Sequence, residues 1–251
     1  MTQSAHEGRQ GHAVLDLGSR RHKGAKIERL LGLDQRPGRV RLLEIGTGSG
    51  GIAHYFGAHS SERFTVDAVD VSDVRQVTDG YRFQRVDSTT LPYADASFDI
   101  ILTNHVIEHV GDTVAQLHHL HEVRRVLAPG GLVYLAVPNR WMLVEPHYGL
   151  AFLSWWPHAW RTPYLRLMRK GDVYDCEPLM RRELEALART AGLAPRNASV
   201  AAFRATLDIE GDKGLLPRLI ARLPDAWLSM LEGIIPTHIY VLRAATEASS
   251  P

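Results

Sequence analysis

Short apolar runs alternate along much of the chain with longer stretches whose apolar positions recur every three or four residues. Runs at 41–45, 64–69, near 81–86, 98–103 and 132–137 read as buried strands. Residues 23–33 place Ile27, Leu30 and Leu31 at helical spacing, so they form a helix lying on something apolar. Residues 50–57, 113–127 and 179–191 read as further helices. The second of these stops before a turn at Pro129-Gly130-Gly131 and the third stops at Gly192. Two more candidate strands lie at 196–203 and 238–243. Alternating strands and helices require right-handed crossovers and a parallel sheet with helices on both faces. The predicted fold is α/β, a sheet of seven candidate strands with helices on both faces in a single domain spanning 1–251.

Residues 139–178 break the alternation. They hold four of the five tryptophans, Trp141, Trp155, Trp156 and Trp160, together with Tyr148, Phe152, Tyr164 and Tyr174. An insertion after the fifth strand sits at the carboxyl edge of the sheet, so this segment is predicted to be a substrate-side cap. Its aromatics supply the cap's own small core and leave some ring faces for a ligand. A second apolar segment, 215–235, is divided by Pro217 and Pro224 into short helices. It reads as core, with a surface for a greasy substrate or a dimer face as the alternative. Residues 1–12 and 245–251 are expected to be frayed ends.

Composition narrows the function classes. A formal net charge of +1 offers no bulk field for nucleic acid. Within the first forty residues Arg20, Arg21, Lys23, Lys26 and Arg29 cluster, which reads as a solvated helix face or as attraction to an anionic substrate or membrane surface. Cys176 is the only cysteine, so no intramolecular disulfide forms. No run is long enough to span a bilayer and no signal peptide is visible. A cytoplasmic monomer or homodimer is expected.

The chemistry begins at Leu42-Leu43-Glu44-Ile45-Gly46-Thr47-Gly48-Ser49-Gly50, a strand running into alternating glycines. Such a turn lets backbone approach a bound nucleotide-type cofactor without Cβ clashes. Gly46, Gly48 and Gly51 also fit the dinucleotide pattern, and Asp70 at the end of the second strand suits ribose hydroxyls in either class. Three later segments discriminate: Val86-Asp87-Ser88-Thr89-Thr90-Leu91-Pro92-Tyr93, the strand at 98–103, and Glu122–Gly131 running into the fifth strand. On these motifs the chain resembles the class I S-adenosylmethionine-dependent methyltransferases. The resemblance is strong over 40–138 and loose elsewhere, and it is nearest the branch of quinone C-methyltransferases and small-molecule O-methyltransferases.

That resemblance implies a Rossmann-like, seven-stranded, mostly parallel sheet with an antiparallel last strand, and S-adenosylmethionine as cofactor. It also implies a small, apolar or lipid-linked acceptor methylated at O or C. Glu44 would organise the cationic amino-acid end of the cofactor, beside Gly46, Thr47, Gly48 and Gly50. Asp70 would take the ribose with Val71 beside the adenine. Asp87 and Ser88 would read the adenine edge, although Asp87 also suits a turn cap. Asn104 and His105 would line the methionine side.

For a proton acceptor there are three candidates. His105 and His109, four apart, share a face if their segment is helical. His147 lies in the cap beside Trp141, Glu145 and Tyr148, the candidate acceptor wall. Glu108 and His109 also suit an architectural role. His118, His119 and His121 read as a solvated stripe, and no metal site is predicted. A non-catalytic cofactor-binding protein, or more remotely a nucleotide-dependent oxidoreductase, remains the alternative. The aromatic tetrapeptide that grips a flipped base is missing, since Thr103-Asn104-His105-Val106 stands in its place.

Overall fold

The computed structural model describes residues 16–59, 62–211, 219–220 and 222–245. The predicted frayed segment 1–12, most of 245–251, and Leu215, Leu216 and Pro217 lie outside the described residues.

Seven strands form one sheet in the order β3-β2-β1-β4-β5-β9-β8. They are β1 (Val40–Ile45), β2 (Phe64–Asp70), β3 (Arg82–Arg85), β4 (Phe98–Asn104), β5 (Leu127–Pro138), β8 (Leu193–Asn197) and β9 (Thr237–Ala244). β1 to β5 run parallel, and β9 inserts antiparallel between β5 and β8. The strand order reverses between β1 and β4, so a crevice opens at their carboxyl ends.

Each face carries its own core. On one, Leu42, Val66, Ile100 and Tyr134 pack with Ile27 and Leu31 of α1 (Leu17–Leu31) and Ile52 and Phe56 of α2 (Gly51–His59). On the other, Leu43, Val69, Ile101 and Val133 pack with Leu120 and Val123 of α3 (Thr113–Val126) and Leu184 and Ala188 of α5 (Arg181–Thr190). Burial of each such aliphatic side chain contributes about 1.5–3 kcal/mol.

Three sequence expectations need correction. First, α1 begins well before residue 23, because the Asp16 carboxylate caps the Gly18 and Ser19 amides at 3.0 and 3.2 Å. Second, Pro129-Gly130-Gly131 is not a separate turn. It is absorbed into β5 as a register shift, with Gly130 at φ +72°. Third, the strand expected at 196–203 ends at Asn197, where the side chain accepts the Ser199 amide at 2.8 Å and turns the chain into α6 (Ser199–Glu210). Ala198, Ala202 and Ala205 are buried there, and the first two join the core under α1. The small residues that made a weak strand pattern let two helices approach.

Residues 139–178 fold as a cap with the ribbon β6 (Val144–Glu145) and β7 (Leu150–Ala151) and the helix α4 (His158–Leu167). Tyr148, Leu150, Leu153, Leu165, Tyr174 and Cys176 form its private core. The tryptophans lie outside it, with Trp160 62 % exposed. The core reading of 215–235 fails in the described part: Leu228 is buried, whereas Leu219, Trp227, Leu231 and Ile234 face outward. Among the described residues no helix is long and apolar enough to cross a membrane.

Candidate functional site

The turn after β1 shows why glycine stands at alternate positions. Gly46, Gly48 and Gly50 have φ of +77°, +53° and +80°, where other residues are strained. A Cβ on Gly46 would lie 2.3 Å from Val106 Cγ2, so the turn also packs against the loop after β4. The Gly46 amide donates to Val69 O at 2.9 Å, and buried Thr47 turns its hydroxyl to the same carbonyl. Asp70 closes the rim: Oδ2 accepts the Gly48 amide at 2.9 Å and Oδ1 the Ser72 amide at 3.2 Å.

Beneath this turn lies a charged cluster. Glu44 is buried, accepts the Ala53 amide at 3.0 Å, and its carboxyl is pushed up to about 8 chiefly by burial. The α1 residues Arg20 and Lys23 lie within electrostatic reach of it. Burial, then repulsion from Arg20 and Lys26, pulls Lys23 down to about 7. Lys23 Nζ donates to Asn104 Oδ1 at 3.4 Å, which ties α1 to the end of β4. The solvated basic face expected of α1 therefore holds for exposed Arg21, whereas Arg20, Lys23 and Lys26 are half-buried. From sequence these cations read only as a solvated face or an attraction for an anionic surface or substrate, and nothing there places them beside Glu44. The available signal was their register, since Arg20 and Lys23 precede buried Ile27 and Leu31 at helical spacing.

The histidines converge, by a different route from the one expected. Their segment is no α-helix: His105 has φ +58° and only Ile107–His109 forms a single 3-10 turn. Buried Glu108 gathers them instead, with Oε1 3.2 Å from His105 Nδ1 and 4.0 Å from His109 Nε2. Burial alone would raise the Glu108 pKa, but hydrogen bonding and attraction from the imidazoles hold it below the usual carboxylate range. From the cap, the His147 ring centroid lies 6.4 Å from that of His105 and 5.7 Å from that of His109. His147 Nδ1 stands 2.6 Å from Oε1 of buried Glu145, whose Oε2 accepts the Tyr148 amide at 2.9 Å. Burial favours the neutral His147 ring, yet the Glu145 bond and the charges of Glu145, Glu108 and Asp175 outweigh it and raise its pKa.

The remaining candidates are placed as follows. Val71 is 40 % exposed beside Asp70, and Asp87 and Ser88 are exposed beyond β3, with Ser88 Oγ accepting the Thr90 amide. Trp141 is exposed and stands edge-on to Trp155 at 5.4 Å. Tyr148 is buried in the cap core, its hydroxyl donating to Val173 O and Asp175 Oδ1 at 3.2 Å each. Of the presumed solvated stripe, His118 and His121 are exposed. His119 is buried against Thr103 Oγ1 at 3.3 Å, and burial pulls it down to about 4. It faces inward because α3 turns that side toward β4.

Comparison with known proteins extends this geometry. A methyltransferase-domain family profile matches residues 9–198, more than half of the chain. The ubiquinone biosynthesis O-methyltransferase of Ruegeria pomeroyi is 27 % identical over 70 % of this chain and 68 % of its own length. The 27-O-demethylrifamycin SV methyltransferase of Amycolatopsis mediterranei is 32 % identical over 68 % of this chain and 60 % of its own. The chain thus spans about two thirds or less of such curated relatives. Among solved structures, an S-adenosylmethionine-dependent methyltransferase from Mesorhizobium loti superposes with a TM-score of 0.56 at 15 % identity, covering 87 % of this chain and 97 % of that one. By strand order and by a profile match over most of its length, the chain belongs to the methyltransferase-domain family, within the class I S-adenosylmethionine-dependent methyltransferases.

Proposed function

We propose that this chain methylates a hydroxyl oxygen of a small, largely apolar acceptor held between the carboxyl edge of the sheet and the 139–178 cap. The observation that carries the reading is the Glu145–His147 pair, which the cap extends to the rings of His105 and His109 at the end of β4.

The residues present fit the cofactor. The glycine turn leaves backbone where a ligand approaches, and the buried atoms Arg20 Nε and Ser49 Oγ have no hydrogen-bond partner among the described residues. Asp70 would take the ribose hydroxyls. Arg20 and Lys23 suit the carboxylate of the amino-acid end, and Glu44 its ammonium. S-adenosylmethionine supplies an electrophilic methyl group on a sulfonium. Around it the protein has little covalent work to do. The cap and the β4 loop align the acceptor oxygen and exclude water. His147 accepts the hydroxyl proton, and Glu145 fixes the ring orientation and stabilises the imidazolium. The names of the two curated relatives favour oxygen over carbon. The exposed cap tryptophans favour an apolar acceptor.

Two measurements test this reading. Calorimetry should give micromolar binding of S-adenosylmethionine and none of NAD, and the reverse result overturns the cofactor assignment. A radiolabelled-methyl screen over hydroquinone, polyketide and sugar-lipid hydroxyls should label at least one. Labelling of carbon alone would overturn the oxygen acceptor.

A further inference from the structure

We propose that His109, Asp175 and Cys176 form a binding site for a thiophilic divalent cation of the zinc class, which fastens the cap to the catalytic edge of the sheet. Cys176 Sγ lies 3.8 Å from His109 Nδ1 and 3.7 Å from Asp175 Oδ1. The three donor atoms are all within 4.8 Å of one another. A tetrahedral zinc ion, with bonds of about 2.0–2.3 Å, sets its ligands about 3.3–3.7 Å apart. The two edges that meet at the sulfur match this spacing, and the third, no longer than 4.8 Å, must contract for the three to share one ion. Thiolate, imidazole and carboxylate together select a zinc-like ion over magnesium or calcium.

The surroundings support an ion at this point. Behind His109, Glu108 Oε1 stands 4.0 Å from Nε2, too long for a direct hydrogen bond but close enough to attract a cationic centre. Glu108 is 1 % exposed, and its second oxygen is buried with no hydrogen-bond partner among the described residues. Asp175 Oδ1 accepts the Tyr148 hydroxyl, which steadies it. Glu108, Glu145 and Asp175 thus place three carboxylates around one buried thiol, facing the imidazoles of His105, His109 and His147. The nearby guanidinium of Arg161 is 3.4 Å from Glu177, which it partly neutralises. A divalent ion on the thiolate offsets the negative charge that remains.

A second donor group, Glu145, His147 and Cys176, shares the sulfur. Glu145 and His147 are closed on each other at 2.6 Å and serve the proposed proton transfer, so the ion is assigned to the His109 side. The ion would join the turn after β4 to the strap at 175–177, which is already tied there by the Glu177 amide donating to Glu108 O at 2.8 Å. A fourth coordination position stays open for water or an acceptor oxygen.

The test uses the whole 251-residue chain, stripped with chelator and titrated with Zn²⁺ and then Co²⁺. One ion per chain is expected, and the cobalt form should show a near-ultraviolet thiolate charge-transfer band. Cys176→Ser should abolish that band. His109→Gln, at a half-exposed position that spares the cap core, should weaken Zn²⁺ binding at least tenfold, and His121→Gln should leave it unchanged. Sub-stoichiometric zinc, or parental affinity in both Cys176→Ser and His109→Gln, overturns the site. Loss of binding in His147→Gln with none in His109→Gln moves the ion to the other triad and overturns the assignment. Calorimetry of S-adenosylmethionine on the stripped protein is read separately, so failure of the metal site leaves the cofactor reading standing.

Discussion

Asp70 Oδ2 accepts the Gly48 amide at 2.9 Å, joining the end of β2 to the glycine turn after β1 across 22 residues of sequence. The acid expected to bind ribose therefore also holds the turn that would cradle the cofactor. Asp70→Ala should weaken S-adenosylmethionine binding by about 2–3 kcal/mol, because it removes charge-assisted bonds to the ligand and loosens the turn. Calorimetry reads the affinity, and circular dichroism should show a folded protein. Unchanged affinity would remove Asp70 from the site.

Gly46→Ala should abolish measurable cofactor binding. The new methyl group meets Val106 Cγ2 at 2.3 Å, and φ of +77° disfavours alanine at that position. Either the turn or the β4 loop must move, and both line the crevice. Gly149→Ala provides the comparison: its φ is also positive, at +63°, but nothing lies within 4 Å of the added carbon. It should cost about 1 kcal/mol of stability and leave cofactor affinity intact.

The pH dependence of cofactor affinity follows from Glu44 near 8 and Lys23 near 7 in the free protein. Binding a zwitterionic amino-acid end favours ionised Glu44 and charged Lys23. Below pH 7, Lys23 is already charged and Glu44 must release a proton, so affinity falls as pH drops. Above pH 8, Glu44 is already ionised and Lys23 must take up a proton, so affinity falls as pH rises. Between these limits the shift is internal and affinity peaks. Each limb approaches tenfold per pH unit at most, about 1.4 kcal/mol. Calorimetry in buffers of differing ionisation enthalpy should show proton release on the acid limb and uptake on the alkaline one. In Lys23→Met the alkaline limb should flatten to the share set by the cofactor's own ammonium, which titrates at about 8; a limb as steep as the parent's would mean that Lys23 does not contact the cofactor.

His147→Gln should lower turnover by about 10²–10⁴-fold with cofactor affinity within a factor of a few, as expected for loss of a general base. Glu145→Gln keeps a hydrogen-bond acceptor for the ring but removes its charge, so a smaller loss and an acid-shifted pH–rate profile should follow. Parental turnover in both variants would pass the role to the β4 loop.

The sequence alone carried the sheet and the backbone of the glycine turn after β1. Period-two and period-3.6 patterns are local, so β1, β2, β4 and α3 were legible within a residue or two at most ends. The glycine turn and Asp70 were legible for the same reason, since each is dictated by backbone conformation at one strand end. Local pattern failed where a tertiary neighbour decided the outcome. Ser199–Glu210 is a helix because α1 offers a partner for its alanines, which no local apolar count reveals. His119 is buried, and the cations of α1 turn toward Glu44, because of the faces on which their helices dock. The histidine cluster at the end of β4 lay furthest from view. His105, His109, His147, Glu145, Asp175 and Cys176 come from segments up to about seventy residues apart, and their distances exist only once the cap folds back over the carboxyl edge of β4. Sequence periodicity determines which side chains are buried along an element. Which charged groups then face one another is set by packing between elements, and that is a property of the tertiary structure alone.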